Sequence, residues 1–276
     1  MKSLRTIALV GSLVCMMVSS LVVHADETAL LTKAATGDHR SPENIARNDW
    51  RHPVETLQFF GIKSDMRVAE IWPGSRGWYT EVLAPYLKDN GLLVALNYDG
   101  STGVNYFAKG DKAFRDKLAA NPEVYGKVAL GSLMPPKTYP SLEDENEDLD
   151  MIVTFRNIHN WMQRDIAEQM FQQMHALLKP GGVLGLVAHR GTGEMTEKEH
   201  AKTGYLAESV IISLAERSGF ELVDSSEINA NPKDTKDHPE GVWTLPPSYR
   251  LGDVDRDKYQ AIGESDRMTL KFVKFE

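Results

Sequence analysis

The segment from Met66 to Leu87 restricts the fold more than any other part of the sequence. A short apolar run, Met66–Ile71, enters the turn Pro73-Gly74-Ser75-Arg76-Gly77, and a helical pattern follows from Trp78 to Leu87. Strand, glycine turn and helix in direct succession open a βαβ unit, because a parallel strand needs a crossover to return. The pattern then repeats. Leu92–Leu96 reads as a second strand, Asp111–Ala120 as a helix, Val128–Leu130 as a third strand and Met151–Phe155 as a fourth. The helix Ile166–Leu178 runs into Lys179-Pro180-Gly181-Gly182 and a fifth strand, Val183–Val187, and Leu206–Arg217 is a helix ended by Gly219. Such alternation predicts an α/β fold with a mainly parallel sheet covered by helices on both faces. Phe220–Ile228 and Met268–Phe275 break it: no helix of comparable length lies between them, so they are expected to pair antiparallel at one sheet edge across a long loop.

The parts outside this unit follow from local signals. Lys2 and Arg5 precede an apolar run from Ile7 to Val23, and Val23-His24-Ala25 offers a small residue for cleavage, so residues 1–25 read as a secretory signal peptide. A retained membrane span is disfavoured because the run falls short of about 20 residues and is broken by Gly11, Ser12, Ser19 and Ser20. Cys15, the sole cysteine, lies in this leader, so the mature chain is expected to have neither a disulfide nor a thiolate nucleophile. Residues 26–62 read as a helical lead-in, with Ser41 capping a helix at Pro42 and a second short helix stopped by Gly61. Residues 63–276 form the α/β domain. The formal charge is −8, and loss of Lys2 and Arg5 makes it more negative. An acidic chain without a basic run argues against nucleic acid as partner, and the acidic stretch Glu143–Asp150 reads as a solvated face.

Arg67-Val68-Ala69-Glu70-Ile71-Trp72-Pro73-Gly74-Ser75-Arg76-Gly77 resembles the first motif of class I S-adenosylmethionine (SAM) dependent methyltransferases. Leu177-Leu178-Lys179-Pro180-Gly181-Gly182 resembles the connection before their fifth strand, and the paired terminal runs match their sixth and seventh. Phe155-Arg156-Asn157-Ile158-His159-Asn160-Trp161, Asn231-Pro232-Lys233-Asp234 and Ile262-Gly263-Glu264-Ser265-Asp266-Arg267 narrow the likeness to a bacterial family of exported predicted methyltransferases. The resemblance implies a Rossmann-like, seven-stranded, mainly parallel sheet with an antiparallel C-terminal edge. It also implies SAM as cofactor, a small-molecule substrate and a periplasmic location.

By that resemblance Glu70 faces the methionine end of SAM, with Trp72, Gly74, Gly77 and Tyr79 forming the turn around it. Small residues let backbone approach a ligand, and amides at a helix start face its carboxylate. Trp72 stands where a glycine is common. Asn97 and Asp99 occupy the place of the acidic residue that holds the ribose, and Ser132 the place of the Asp beside adenine. Ligands of open α/β sheets sit beyond the strand carboxyl ends, so Arg156, Asn157 and His159 are expected to contact substrate, with His159 as the candidate base. His189-Arg190 follows the fifth strand at the same edge, and Arg51 and His52 are placed to help cover the pocket. His159, His189 and His238 lack metal-ligand spacing, so no metal is expected. Asn231–Trp243 and Glu264–Arg267 are candidate lid or wall segments. A non-catalytic ligand-binding module on the same fold is the alternative; an NAD-type oxidoreductase is disfavoured by the antiparallel ending and the incomplete Gly-x-Gly-x-x-Gly pattern.

Overall fold

The computed structural model describes residues 26–135, 137–139, 149–193 and 202–275. The expected leader, residues 1–25, and nearly all of the acidic stretch 143–150 lie outside these residues.

Among the described residues one eight-stranded sheet organises the fold: β1 Arg67–Ile71, β2 Leu92–Asn97, β3 Ala129–Met134, β4 Lys137–Tyr139, β5 Leu149–Phe155, β6 Leu178–His189, β7 Phe220–Ser226 and β8 Arg267–Lys274. Their spatial order is β4-β3-β2-β1-β5-β6-β8-β7. The central pairs β3–β2, β2–β1, β1–β5 and β5–β6 are parallel, whereas β8 runs antiparallel to both β6 and β7. The seven expected strands are thus present with the expected antiparallel edge. The short β4 is an addition; it turns back on β3 in register Ser132↔Tyr139.

Alternation along the strands divides the core between two faces. Val68, Leu93, Ala95, Met151 and Val153 point one way, and onto them pack Leu31, Leu57, Phe60, Val82, Leu83 and Phe114. Ala69, Ile71, Val94, Leu96 and Ile152 point the other way, against Met170, Phe171, Met174, Ile211 and Leu214. The lead-in is therefore part of the sheet's cover. Helical residues 26–36 and the helix Pro53–Phe60 lie on the first face. Gly185 permits this: a Cβ there would stand 2.4 Å from the Phe60 ring.

Two elements differ from expectation. The helix Asn105–Ala120 starts six residues earlier than its polar pattern indicated, with Phe107 and Gly110 buried. The segment between β7 and β8 is not one loop, since it contains a 3-10 turn at Gly241–Thr244 and a helix at Arg256–Ile262.

Candidate functional site

The carboxyl ends of β1, β5 and β6 meet at a cavity of about 260 Å³. Trp72, Pro73 and Gly74 supply one wall, Phe155–Asn157 with His159 and Asn160 another, and His189 a third. Val242, Trp243, Pro246–Ser248, Glu264 and Ser265 close it from the C-terminal segment. This is where an open α/β sheet presents its ligand site.

Two residues at the rim have backbones that side chains seldom adopt. Trp72 has φ 50° and Arg156 has φ 63°, left-handed conformations that cost roughly 1–3 kcal/mol each for residues other than glycine. Hydrogen bonds hold both. Trp72 N–H donates to Leu96 O at 2.8 Å, and Arg156 N–H donates to Val187 O at 2.7 Å. The Asn157 amide donates to Ile71 O at 2.8 Å and Trp72 O at 3.2 Å, tying the β5 loop to the β1 loop. Asn157 thereby positions both loops.

Trp72 is also locked through its side chain. Its indole N–H donates to Leu133 O at 2.8 Å, and its ring meets those of Tyr98, Phe107 and Trp161 edge-on at 5.5–6.0 Å. Tyr79 stacks on Phe155 with centroids 3.4 Å apart, while its hydroxyl donates to Arg51 O at 3.1 Å. Trp72 and Tyr79 therefore both brace the shape of the first turn.

Glu70 is buried at the end of β1 and accepts a hydrogen bond from Thr80 Oγ1 at 2.6 Å. Burial raises its pKa to about 7, so its charge is open to control near neutral pH. Gly77 leaves room for that contact: with φ 53°, a Cβ there would lie 2.8 Å from Thr80 Oγ1 and 2.7 Å from the Phe114 ring. Asn97 ends β2, fully buried, with neither its amide nitrogen nor its carbonyl oxygen partnered among the described residues. Ser132 is its register partner on β3. Asp99 caps its own turn, accepting from Ser101 N–H at 2.7 Å. Of the residues expected around a cofactor, only Trp72 and Gly74 line the cavity; Glu70, Gly77, Tyr79, Asn97, Asp99 and Ser132 stand outside its lining.

The three expected substrate-contacting residues do converge there. His159 is buried, with its ring centroid 5.6 Å from those of His189 and Trp243. Burial, reinforced by Arg156 and Arg164, lowers its pKa to about 3. Burial also holds His189 far below the usual histidine range, and its Nδ1 lies 2.5 Å from Ser265 Oγ. Both imidazoles are neutral at physiological pH. His238, by contrast, bonds to Asp234 at 2.9 Å in a separate network that anchors the C-terminal segment. Arg190 belongs to that network through Glu227 and Asp266, and His52 serves as the left-handed link between two lead-in helices.

Sequence reasoning missed the electrostatic hub behind the cavity. Glu264, nearly buried, pairs with Arg47 at 2.7 Å, Arg51 at 3.1 Å and Arg267 at 3.2 Å. No spacing rule signals this, because two of its partners lie more than 200 residues away along the chain.

No family model matches the chain, and no curated protein matches it by sequence. Solved structures do match. A SAM-dependent methyltransferase from Aquifex aeolicus superposes with TM-score 0.52 over 88% of this chain and 98% of its own, at 14% identity. The [4+2]-cyclase SpnF gives 0.55 over 92% and 96%, also at 14%. The glycopeptide N-methyltransferase MtfA, complexed with sinefungin, gives 0.50 over 82% and 86%, again at 14%. At such identity the likeness is one of architecture: the chain is built on the Rossmann-like class I methyltransferase fold.

Proposed function

We propose that this protein is a SAM-dependent methyltransferase acting on a small molecule, exported to the bacterial periplasm. The observation that carries the reading is the juxtaposition at one sheet edge of the Glu70–Gly77 turn, an Asn97 amide without a partner among the described residues and a cavity lined by His159 and Arg156. The residues suit the cofactor. Glu70 would hold its ammonium group, since a nearby cation favours the ionised form of a carboxyl poised near pH 7. Asn97 offers a donor and an acceptor that have no partner among the described residues, the pair a ribose diol requires.

SAM supplies a methyl group on a sulfonium, open to in-line displacement. The chain's share is alignment and exclusion of water. Trp72 and Asn157 fix the two loops against each other. Trp243, Pro246 and Pro247 cover the cavity, and Arg156 and His159 face its interior. A neutral imidazole accepts a hydrogen bond from a substrate O–H or N–H, which orients the nucleophile's lone pair. With a pKa of about 3 it does not retain the proton near neutrality, so proton release ends in solvent.

Titration calorimetry of residues 26–276 with SAM and S-adenosylhomocysteine tests the proposal. Saturable binding of either at micromolar to low millimolar concentration is expected. Absence of heat from both at millimolar concentration would refute it.

A further inference from the structure

Among the described residues the charges behind the cavity do not balance. Arg47, Arg51 and Arg267 contact the carboxylate of Glu264, the guanidinium of Arg156 interacts with it electrostatically, and no second carboxylate of the described residues pairs with this cluster. The guanidiniums come from three regions of the chain: the helical lead-in, the loop after β5 and the start of β8. Arg51 is 1% exposed and Arg267 3%. Such charges are normally matched one for one when buried, because an uncompensated ion loses its hydration without return.

The guanidiniums are also under-used as donors. Arg51 Nη1 and Arg47 Nη2 are buried without a hydrogen-bond partner among the described residues. Arg156 lines the cavity, and among the described residues its side chain has neither a hydrogen-bond acceptor nor an ion-pair partner. Its strained backbone is held by the Val187 carbonyl. The opposite walls are aromatic or proline-rich, formed by Trp72, Trp243, Pro246 and Pro247, with His159 and His189 as neutral polar groups between.

We infer that the cavity receives the anionic end of its substrate, a carboxylate or phosphate, on Arg156 in front of the Arg47–Arg51–Arg267 cluster, with the apolar body against Trp72 and Trp243. A planar guanidinium fork with free N–H groups matches either anion in bidentate fashion. Glu264 cancels part of the cluster's charge and fixes its geometry, leaving the surplus for the ligand. The inference deepens the methyltransferase reading by naming its substrate class, yet the anion site stands on its own residues.

The test is calorimetry of residues 26–276 with three probes that share one phenyl ring: benzoate, phenyl phosphate and uncharged benzyl alcohol. At least one anion is expected to bind tenfold or more tightly than the alcohol, and which one does so separates carboxylate from phosphate recognition. In Arg156→Gln the preferred anion should bind at least tenfold more weakly, with Arg156→Lys between the two. Equal binding of alcohol and anions, no anion binding up to 10 mM, or unchanged affinity in a folded Arg156→Gln would each overturn the inference. The comparison of probes on the unaltered protein needs no variant to fold. S-adenosylhomocysteine titrated alongside separates the two ideas. Anion binding without it leaves the anion site standing and removes the methyltransferase reading, whereas its binding without anion binding does the reverse.

Discussion

Replacing Glu264 by Gln tests whether the buried charge cluster has the energetic weight its geometry implies. The carboxylate accepts from Arg47, Arg51 and Arg267 at 2.7–3.2 Å, and all but Arg47 are almost wholly shielded from water. Burial pushes the Glu264 pKa up, but attraction from Arg51, Arg267, Arg47 and Arg156 outweighs it and holds the carboxyl well below its usual range. Removing one partner of a buried pair typically costs about 3–5 kcal/mol, because the remaining charge is left unmatched. Glu264→Gln keeps the shape and hydrogen-bonding reach but leaves the guanidiniums with no counter-charge among the described residues. Urea unfolding at pH 7 should therefore show a loss of about 3 kcal/mol or more. The pH dependence carries the same sign. A depressed carboxyl stabilises the fold above its unfolded pKa of about 4.3, and that contribution falls away as pH drops towards the folded value. The gap between wild type and Glu264→Gln should narrow below pH 4. A loss under about 1 kcal/mol at pH 7, the range of an exposed ion pair, would refute the reasoning.

Further outcomes follow from individual contacts. Glu70 has its folded pKa raised to about 7, so its protonated form stabilises the fold fully below about pH 4.3, a contribution lost as pH rises through 7. Glu70→Gln should accordingly gain on the wild type by roughly 1–3 kcal/mol between pH 5 and pH 8, as read by urea unfolding at both; a constant difference would count against the burial argument. Trp72→Ala removes an indole packed against three rings and should cost about 3–5 kcal/mol, visible as a lower urea midpoint. Gly77→Ala forces a Cβ against Thr80 and Phe114 at positive φ and should cost about 1–3 kcal/mol, and it should also shift the Glu70 titration followed by carboxyl NMR. Once a substrate is in hand, kcat should show no inflection from His159 between pH 5 and 8, because that imidazole stays neutral down to about pH 3; one lost in His159→Gln would contradict the assignment.

How far the sequence discloses this molecule depends on the range of the forces involved. β1 and its turn are legible because an apolar run, Pro-Gly and a helical period sit next to each other. β3 is read short because Gly131 and Ser132 interrupt its apolar pattern; pairing with β2 carries it to Ser132, and pairing with β4 extends it to Met134. The Asn105–Ala120 helix begins early because Phe107 packs on Trp72 and Tyr98, contacts no local propensity records. Lys179–Gly182 reads as a turn, yet Leu178 pairs with Leu149 and Val183 with Met151, so the turn becomes an irregularity within β6. The candidate site divides the same way. Arg156, Asn157 and His159 are found because strand carboxyl ends locate them, but only the folded chain reveals that Asn157 ties two loops together. The Glu264 hub is invisible beforehand, since it joins the lead-in to the C-terminal segment solely through tertiary contacts.

Methyl transfer from SAM at this sheet edge stands or falls with a crystal structure of residues 26–276 grown with S-adenosylhomocysteine. Density is expected for the ligand with its amino group at Glu70 and its ribose at the Asn97 amide. Density elsewhere on the surface, or none at saturating ligand, would contradict it.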